Sequence, residues 1–345
     1  MKQYPVLLTR YLYFLDETIY TLHECLINKK DFNEIVWWCG EIYYSGFHSE
    51  LWDFIFAFYY NFKAIVYPKY EGKLCGLYLD FQNCANIEII LSAITMLYYL
   101  KNDDTVFKTT TNNKHRNVHI KIYTGPSPEW FKRLNIKREY KNIIRSIHAK
   151  NYDNILYYLK NTNIYDVYDI IIYYFETIYN LNLSKKSLND VPYTNKVHIV
   201  LTMIHYLHRD ADLIEKKYAT VKYNHMTYCK QLDDDNMIVS PVYNTLPVRL
   251  RYPISDTIGN FPLNRYNNDY KEIYRNNWEY YAYATPLWKE RFDKYNIKHN
   301  KNYIVFENDE DYEEFSRLYY YENDEQSQSI QDYSIKNIPN KLKMG

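Results

Sequence analysis

The chain has 345 residues, with 42 Lys and Arg balanced by 42 Asp and Glu, so its formal net charge is zero. That balance excludes a global field steering the whole protein toward nucleic acid or anionic lipid, and the length allows a core that needs no disulfide staples. A hydrophobic share of 47% is globular, whereas 43 Tyr beside 7 Gly is the bias of an AT-rich coding sequence.

The first seventeen residues, MKQYPVLLTRYLYFLDE, show no clean apolar run or cleavage site. A helix is expected over Asp16–Ile27. In DFNEIVWWCGEIYYSG, Asp31 caps the next helix, with Glu34 placed as in a capping box. Ile35, Trp38, Cys39 and Ile42 follow at i, i+3, i+4 and i+7, and Gly46 stops the helix. Residues 37–62 are crowded with Trp, Tyr and Phe, which poses a choice between a stacking surface and a core. Glu50–Val66 is apolar nearly all round, interrupted by Asp53, Asn61 and Lys63, and that pattern marks an inner helix. Ile87–Leu100 repeats the helical period.

Residues 101–127 are polar and turn-rich, and VHIKIY alternates like a short strand. Ser127 and Pro128 start a further helix. More helices are expected at Tyr140–His148, Asp153–Leu159, Asp166–Leu181 and Asn195–Leu207. The stretch 228–268 holds four Pro and little helical period, which marks a long connector. Helices resume at Tyr270–Tyr283, at Pro286–Tyr295 behind a Thr285 cap, and at Asn308–Leu318, whose acidic first turn suits the helix dipole.

The expected fold is therefore mainly α: an irregular α-solenoid of HEAT/TPR-like helical hairpins, with a short strand insertion and a long Pro-containing connector. Its expected segments are N-terminal hairpins (1–100), a basic central helical region (101–227), the connector (228–268), C-terminal helices with an acidic end (269–325) and a flexible tail (326–345). Five Cys without CxxC spacing read as reduced thiols, and no apolar stretch is long enough to span a bilayer, so a cytosol-like compartment and no membrane partner are expected.

Enzyme motifs are absent: no GxxxxGK[ST], GxGxxG, GxSxG or HExxH occurs. His208, Arg209 and Asp210 have the kinase triplet order, but Glu215 stands where that motif needs Asn. His205, His208, Asp210 and Asp212 have the residue types of a metal site, with both His on one helix face. A plain helix end is the alternative. No catalysis and no cofactor are expected.

The charged features carry more. Between Thr105 and Lys150 stand eleven Lys or Arg against two acids. Lys108, Lys114, Arg116, Lys121, Lys132, Arg133, Lys137, Arg138, Lys141 and Arg145 are interleaved with rings such as Trp130. Cations that neutralise phosphates beside rings that accept bases suit single-stranded RNA. A basic face that docks an acidic partner, or pairs internally with the nine acids of Glu307–Glu325, is the other reading. YDVYDII also has the Tyr-x-x-x-x-Φ-Φ shape of cap-binding-factor partners, through Tyr165, Ile170 and Ile171; chance is the competing explanation.

GEIYYSGF (40–47), WEYYAYATPLWKERF (278–292) and EDYEEFSRLYYYENDEQSQSIQDYSI (310–335) resemble a protein family of mimivirus-like giant DNA viruses. The resemblance implies a setting, the host cytoplasm in or near a viral factory or the virion, and transfers no catalytic role. In that setting the expected function is a non-enzymatic helical scaffold in viral gene expression. Its most specific form resembles the four-G-type translation-initiation scaffold, binding RNA, a DEAD-box helicase and a cap-binding factor. The alternative is a structural or assembly protein of the virion or factory.

Overall fold

A computed structural model describes residues 7–10, 12–112, 136–179, 187–209, 257–258, 261–262, 277–301 and 303–319. The helices are α1 (Leu15–Ile27), α2 (Phe32–Tyr44), α3 (His48–Phe62), α4 (Tyr70–Asn83), α5 (Ile87–Tyr99) and α6 (Thr105–Asn112). They continue as α7 (Arg138–His148), α8 (Tyr152–Asn161), α9 (Ile164–Tyr179), α10 (Lys196–Leu207), α11 (277–282), α12 (Pro286–Phe292) and α13 (Asp309–Tyr319). Two short antiparallel hairpins join β1 (Thr257–Ile258) to β2 (Phe261–Pro262) and β3 (Ile297–His299) to β4 (Ile304–Phe306). The protein is mainly helical, as its periodicity predicts. The described residues fall into two compact units. One is drawn from Met1–Trp52, Asn86–Ser92 and Lys222–Gly345, the other from Asp53–Ala85 and Ala93–Val221.

The aromatic run becomes core, its part up to Trp52 in the first unit and its part from Asp53 in the second. Asp31 caps α2 by accepting the Asn33 amide at 2.8 Å, and Ile35, Trp38, Cys39 and Ile42 are all buried. Glu34 is buried as well, and its carboxylate accepts the Cys25 thiol at 3.0 Å. Gly46 ends the segment at φ +87, and a Cβ there would lie 2.6 Å from Cβ of Pro286, at the start of α12. Thr285 Oγ1 and Trp288 Nε1 donate to the carbonyls of Leu8 and Thr9. Phe315 anchors α13 by stacking on Phe292 at 4.6 Å, with Trp278 on the same cluster. Residues of 278–292 and 310–319 thus meet in one aromatic core, and Gly46 packs against Pro286 beside it. The hairpin of β3 and β4, absent from the sequence reading, adds Phe306 to it.

Gly46→Ala is expected to lower stability by about 1–3 kcal/mol, because a Cβ at that φ is strained and collides with a proline ring that cannot swing away. A thermal melt tests this; an unchanged Tm would make the close approach irrelevant.

In the second unit, Lys63 looked like an interruption of an apolar helix, yet it is fully buried. Its ammonium donates to the Leu100 carbonyl and to Asn102 Oδ1, closing the C-terminal end of α5. The polar stretch expected to be turns contains α6. Asp103 Oδ1 accepts the Thr105 amide at 3.0 Å, Val106 is buried, and Asp104 pairs with Lys108 one turn on. Helix α4 escaped the sequence reading because only Tyr70, Leu74 and Phe81 are buried along it, too sparse a stripe to show a period.

The helical class expected from the sequence holds in this unit, and its solenoid order is not confirmed. Solenoid repeats touch only their neighbours, whereas α10 packs on α6, α8 and α9, and Thr202 on α10 donates to the Tyr60 carbonyl of α3 at 3.1 Å. The VHIKIY strand, the Ser127–Pro128 helix start and the 326–345 tail lie outside the described residues. Of the 228–268 connector, only the pair of β1 and β2 is described.

Candidate functional site

Helix α7 carries the described part of the basic stretch. Tyr140, Ile143, Ile144 and Ile147, spaced i, i+3, i+4 and i+7, are buried and hold the helix in the second unit. The opposite face presents Arg138, Lys141 and Arg145, which fall on one stripe at the same helical spacing. Lys137 and Arg138 are exposed, and Lys141 and Arg145 are half-buried. Among the described residues, no carboxylate pairs with Lys137, Arg138 or Lys141 within 4.0 Å. Arg145 donates to Asn142 at 3.4 Å.

The position of these charges breaks a local rule. The N-terminal end of a helix is its positive pole, where acids are favoured and cations are not. Here the cap is Lys137, whose side chain accepts nothing, and Arg138 follows at the first helical position; Glu139 is the acid of that turn. Lys137 and Arg138 thus add two cations to the positive end of the helix. Lys108 belongs elsewhere: it is exposed but paired with Asp104 at 2.8 Å. Lys114, Arg116, Lys121, Trp130, Lys132 and Arg133 lie outside the described residues.

The histidines of the metal reading are engaged otherwise. His205 stacks on Tyr152 at 3.9 Å, and its Nε2 meets Thr109 Oγ1 at 3.2 Å. His208 Nδ1 lies 3.0 Å from the Tyr152 hydroxyl, and its ring edge faces Phe175. Arg209 pairs with Asp103 at 2.6 Å. Burial first, then the neighbouring charge of His208, lowers His205 to about 4. Burial, with Lys150 and His148, lowers His208 to about 4. Asp210 and Asp212 lie outside the described residues, and no group of three metal-ligating side chains occurs among the described ones. Two neutral imidazoles bound into a Thr–Tyr network serve the packing of α6, α8 and α10.

The Tyr165 motif is likewise divided. Tyr165 is exposed, Ile170 half-buried, and Ile171 wholly buried in the core of its own unit. The apolar pair cannot both be offered to a partner while α9 stays packed.

One feature had no signal in the sequence. A cleft of about 250 Å³ opens between α3, α4, α9 and α10, lined by Tyr59, Tyr60, Tyr168 and Tyr206 around Glu71. Its residues come from four distant helices, and no local spacing joins them. No helix among the described residues is long and apolar enough to cross a membrane. No protein-family model, no curated protein and no solved structure matches this chain.

Proposed function

We propose that the protein is a non-enzymatic helical adaptor that engages single-stranded RNA through α7 and the basic stretch preceding it. In its most specific form it is a translation-initiation scaffold of a giant virus, holding a DEAD-box helicase and a cap-binding factor near RNA in the host cytoplasm. The observation that carries the RNA contact is the N-terminal end of α7, where exposed Lys137 and Arg138 have no described carboxylate partner. A phosphate placed there gains two cations and the positive helix end together. The viral setting rests on the three resembling stretches alone.

The charge-reversed pair Lys137→Glu and Arg138→Glu is expected to weaken single-stranded RNA binding and flatten its salt dependence by about 1–2 units of slope. Stability is expected to move by no more than about 0.5 kcal/mol, since both side chains are exposed. Filter binding across a salt series, with a melt of each variant, tests this. Unchanged RNA affinity would remove α7 from the interface. Affinity purification from infected cells, with and without ribonuclease, then tests the setting. Recovery of helicase, cap-binding or ribosomal proteins supports the adaptor.

A second reading, a structural protein of the virion or factory, draws on the exposed Tyr157, Tyr165 and Tyr173 of α8 and α9. Self-association without RNA, and recovery of capsid or factory proteins indifferent to ribonuclease, would favour it.

A further inference from the structure

We propose that the outward face of α4 pairs with α4 of a second copy of the chain, antiparallel and across a two-fold axis. Helix α4 lies wholly in the second unit, and Tyr70, Leu74 and Phe81 turn one side of it inward. At helical spacing the opposite side carries Gly72, Gly76, Leu79 and Asn83. Leu79 is 59% exposed, the most exposed large apolar side chain among the described residues. One exposed leucine is ordinary. Its surroundings are what point to a partner.

Lys73 and Asp80 lie seven residues apart on one flank of that face, and both are exposed. Among the described residues neither side chain has an ion pair or a hydrogen bond. Glycine is the poorest helix former after proline, yet two of them stand one turn apart in α4. A Cβ built on Gly72 or Gly76 meets nothing within 4 Å among the described residues, so no close approach there calls for glycine. The missing side chains leave a shallow hollow on the outside of the helix, beside Leu79.

A two-fold axis perpendicular to two antiparallel helices brings each flank against the same flank of the other copy. With the axis passing between Gly76 and Leu77, Lys73 stands level with Asp80 of the second copy, and Asp80 with Lys73 of the second copy. The same axis sets Leu79 level with the midpoint between Gly72 and Gly76 of the second copy, over the hollow they leave. Charge and shape thus arrive at one register independently. A parallel pair would turn the charged flank of each copy away from that of the other. Exposed ion pairs choose orientation and register more than they hold. The attraction comes from burying Leu79 in the hollow. One helix pair is a small interface, so the dimer is weak and reversible. A face that pairs with itself closes, and association stops at two copies.

Sedimentation velocity of the full chain over a concentration series, after ribonuclease treatment, tests the proposal. A monomer–dimer equilibrium is expected. Gly72→Ala with Gly76→Ala fills the hollow and is expected to weaken the dimer about tenfold. The melting temperature of the monomer is expected to hold or rise in that variant, because alanine favours the helix and meets no neighbour. Asp80→Lys sets like charges opposite each other and is expected to weaken the dimer about tenfold; adding Lys73→Asp restores it. Leu79→Gln replaces any variant that fails to fold by circular dichroism, with the same loss expected. A chain that stays monomeric at every concentration, species larger than two copies, or a dimer indifferent to these changes would overturn the proposal. The RNA reading is tested at Lys137 and Arg138, which these variants leave alone, so either can fail without the other.

Discussion

Replacing Glu41 by Ala is expected to destabilise the first unit by about 3–5 kcal/mol, the cost of removing one member of a buried ion pair. Arg10 Nε meets Glu41 Oε2 at 2.8 Å, with side-chain exposures of 5% and 0%. The Arg10 guanidinium lies 4.8 Å above the Tyr44 ring, and the Arg10 amide donates to Ser45 Oγ at 2.7 Å. Every one of these partners is on the C-terminal half of α2 or just past it. The segment 7–10 is therefore tied to α2 by a charge, while its Leu8 and Thr9 carbonyls accept from Thr285 and Trp288. With Glu41 gone, the guanidinium keeps its burial and loses the carboxylate that offset its desolvation. The paired change Arg10→Met and Glu41→Leu is expected to recover most of that loss, because it removes the charge together with its partner. Denaturant titration of the two variants decides. A loss below about 1 kcal/mol for Glu41→Ala would mean that water reaches the guanidinium.

Acid is expected to weaken the fold progressively from about pH 6.5 downward, before ordinary carboxylates begin to titrate. His205, His208 and His198 are each held at about 4, chiefly by burial, against 6.5 when exposed. In the first unit His23 is lowered further, to about 3, again by burial. A histidine whose folded pKa lies below its unfolded one stabilises the fold as the neutral base. That contribution is complete above 6.5 and is lost as the pH falls toward 4. A shift of this size is worth about 3 kcal/mol at most, and solvent screening of part-exposed rings reduces it to about 1–2 kcal/mol each. The three in the second unit together then remove about 3–6 kcal/mol by pH 4.

The groups around them set the details. Asp103 opposes the shift of His205, Lys150 and His148 deepen that of His208, and Lys160 deepens that of His198. The carboxyl of Asp103 is itself lowered, so its own contribution disappears only below its usual range. Denaturant midpoints at pH 7.5, 6 and 5, for the native chain and for His205→Gln, measure the slope. The variant is expected to take up about one proton fewer on unfolding near pH 5. An identical slope would mean that His205 stays protonated in the fold.

Much of the fold was legible in the sequence because it is written in local patterns. Asp31, Asn195 and Thr285 stand where helices begin, and Gly46 where a segment ends. The apolar repeats of α2 and α7 show which face turns inward. The run from Trp37 to Phe62 is core and not platform, as a helix apolar on all sides requires. Helix α6 misled because Thr and Asn suit a turn as well as a helix, and only the burial of Val106 settles the matter. Lys63 misled in the opposite way: a charge inside an apolar helix reads as a solvent-facing interruption until its carbonyl partners are known.

By itself the sequence determined the helical class, most helix starts, the aromatic core and the basic stripe of α7, because caps, periodicity and charge act over a few residues. Only the tertiary structure decided that α10 packs on α6, that Arg10 and Glu41 are a buried pair, and that Glu71 lies beside Tyr60. Those contacts join residues far apart in the chain, and whether a charge is buried or solvated depends on what the rest of the fold places beside it.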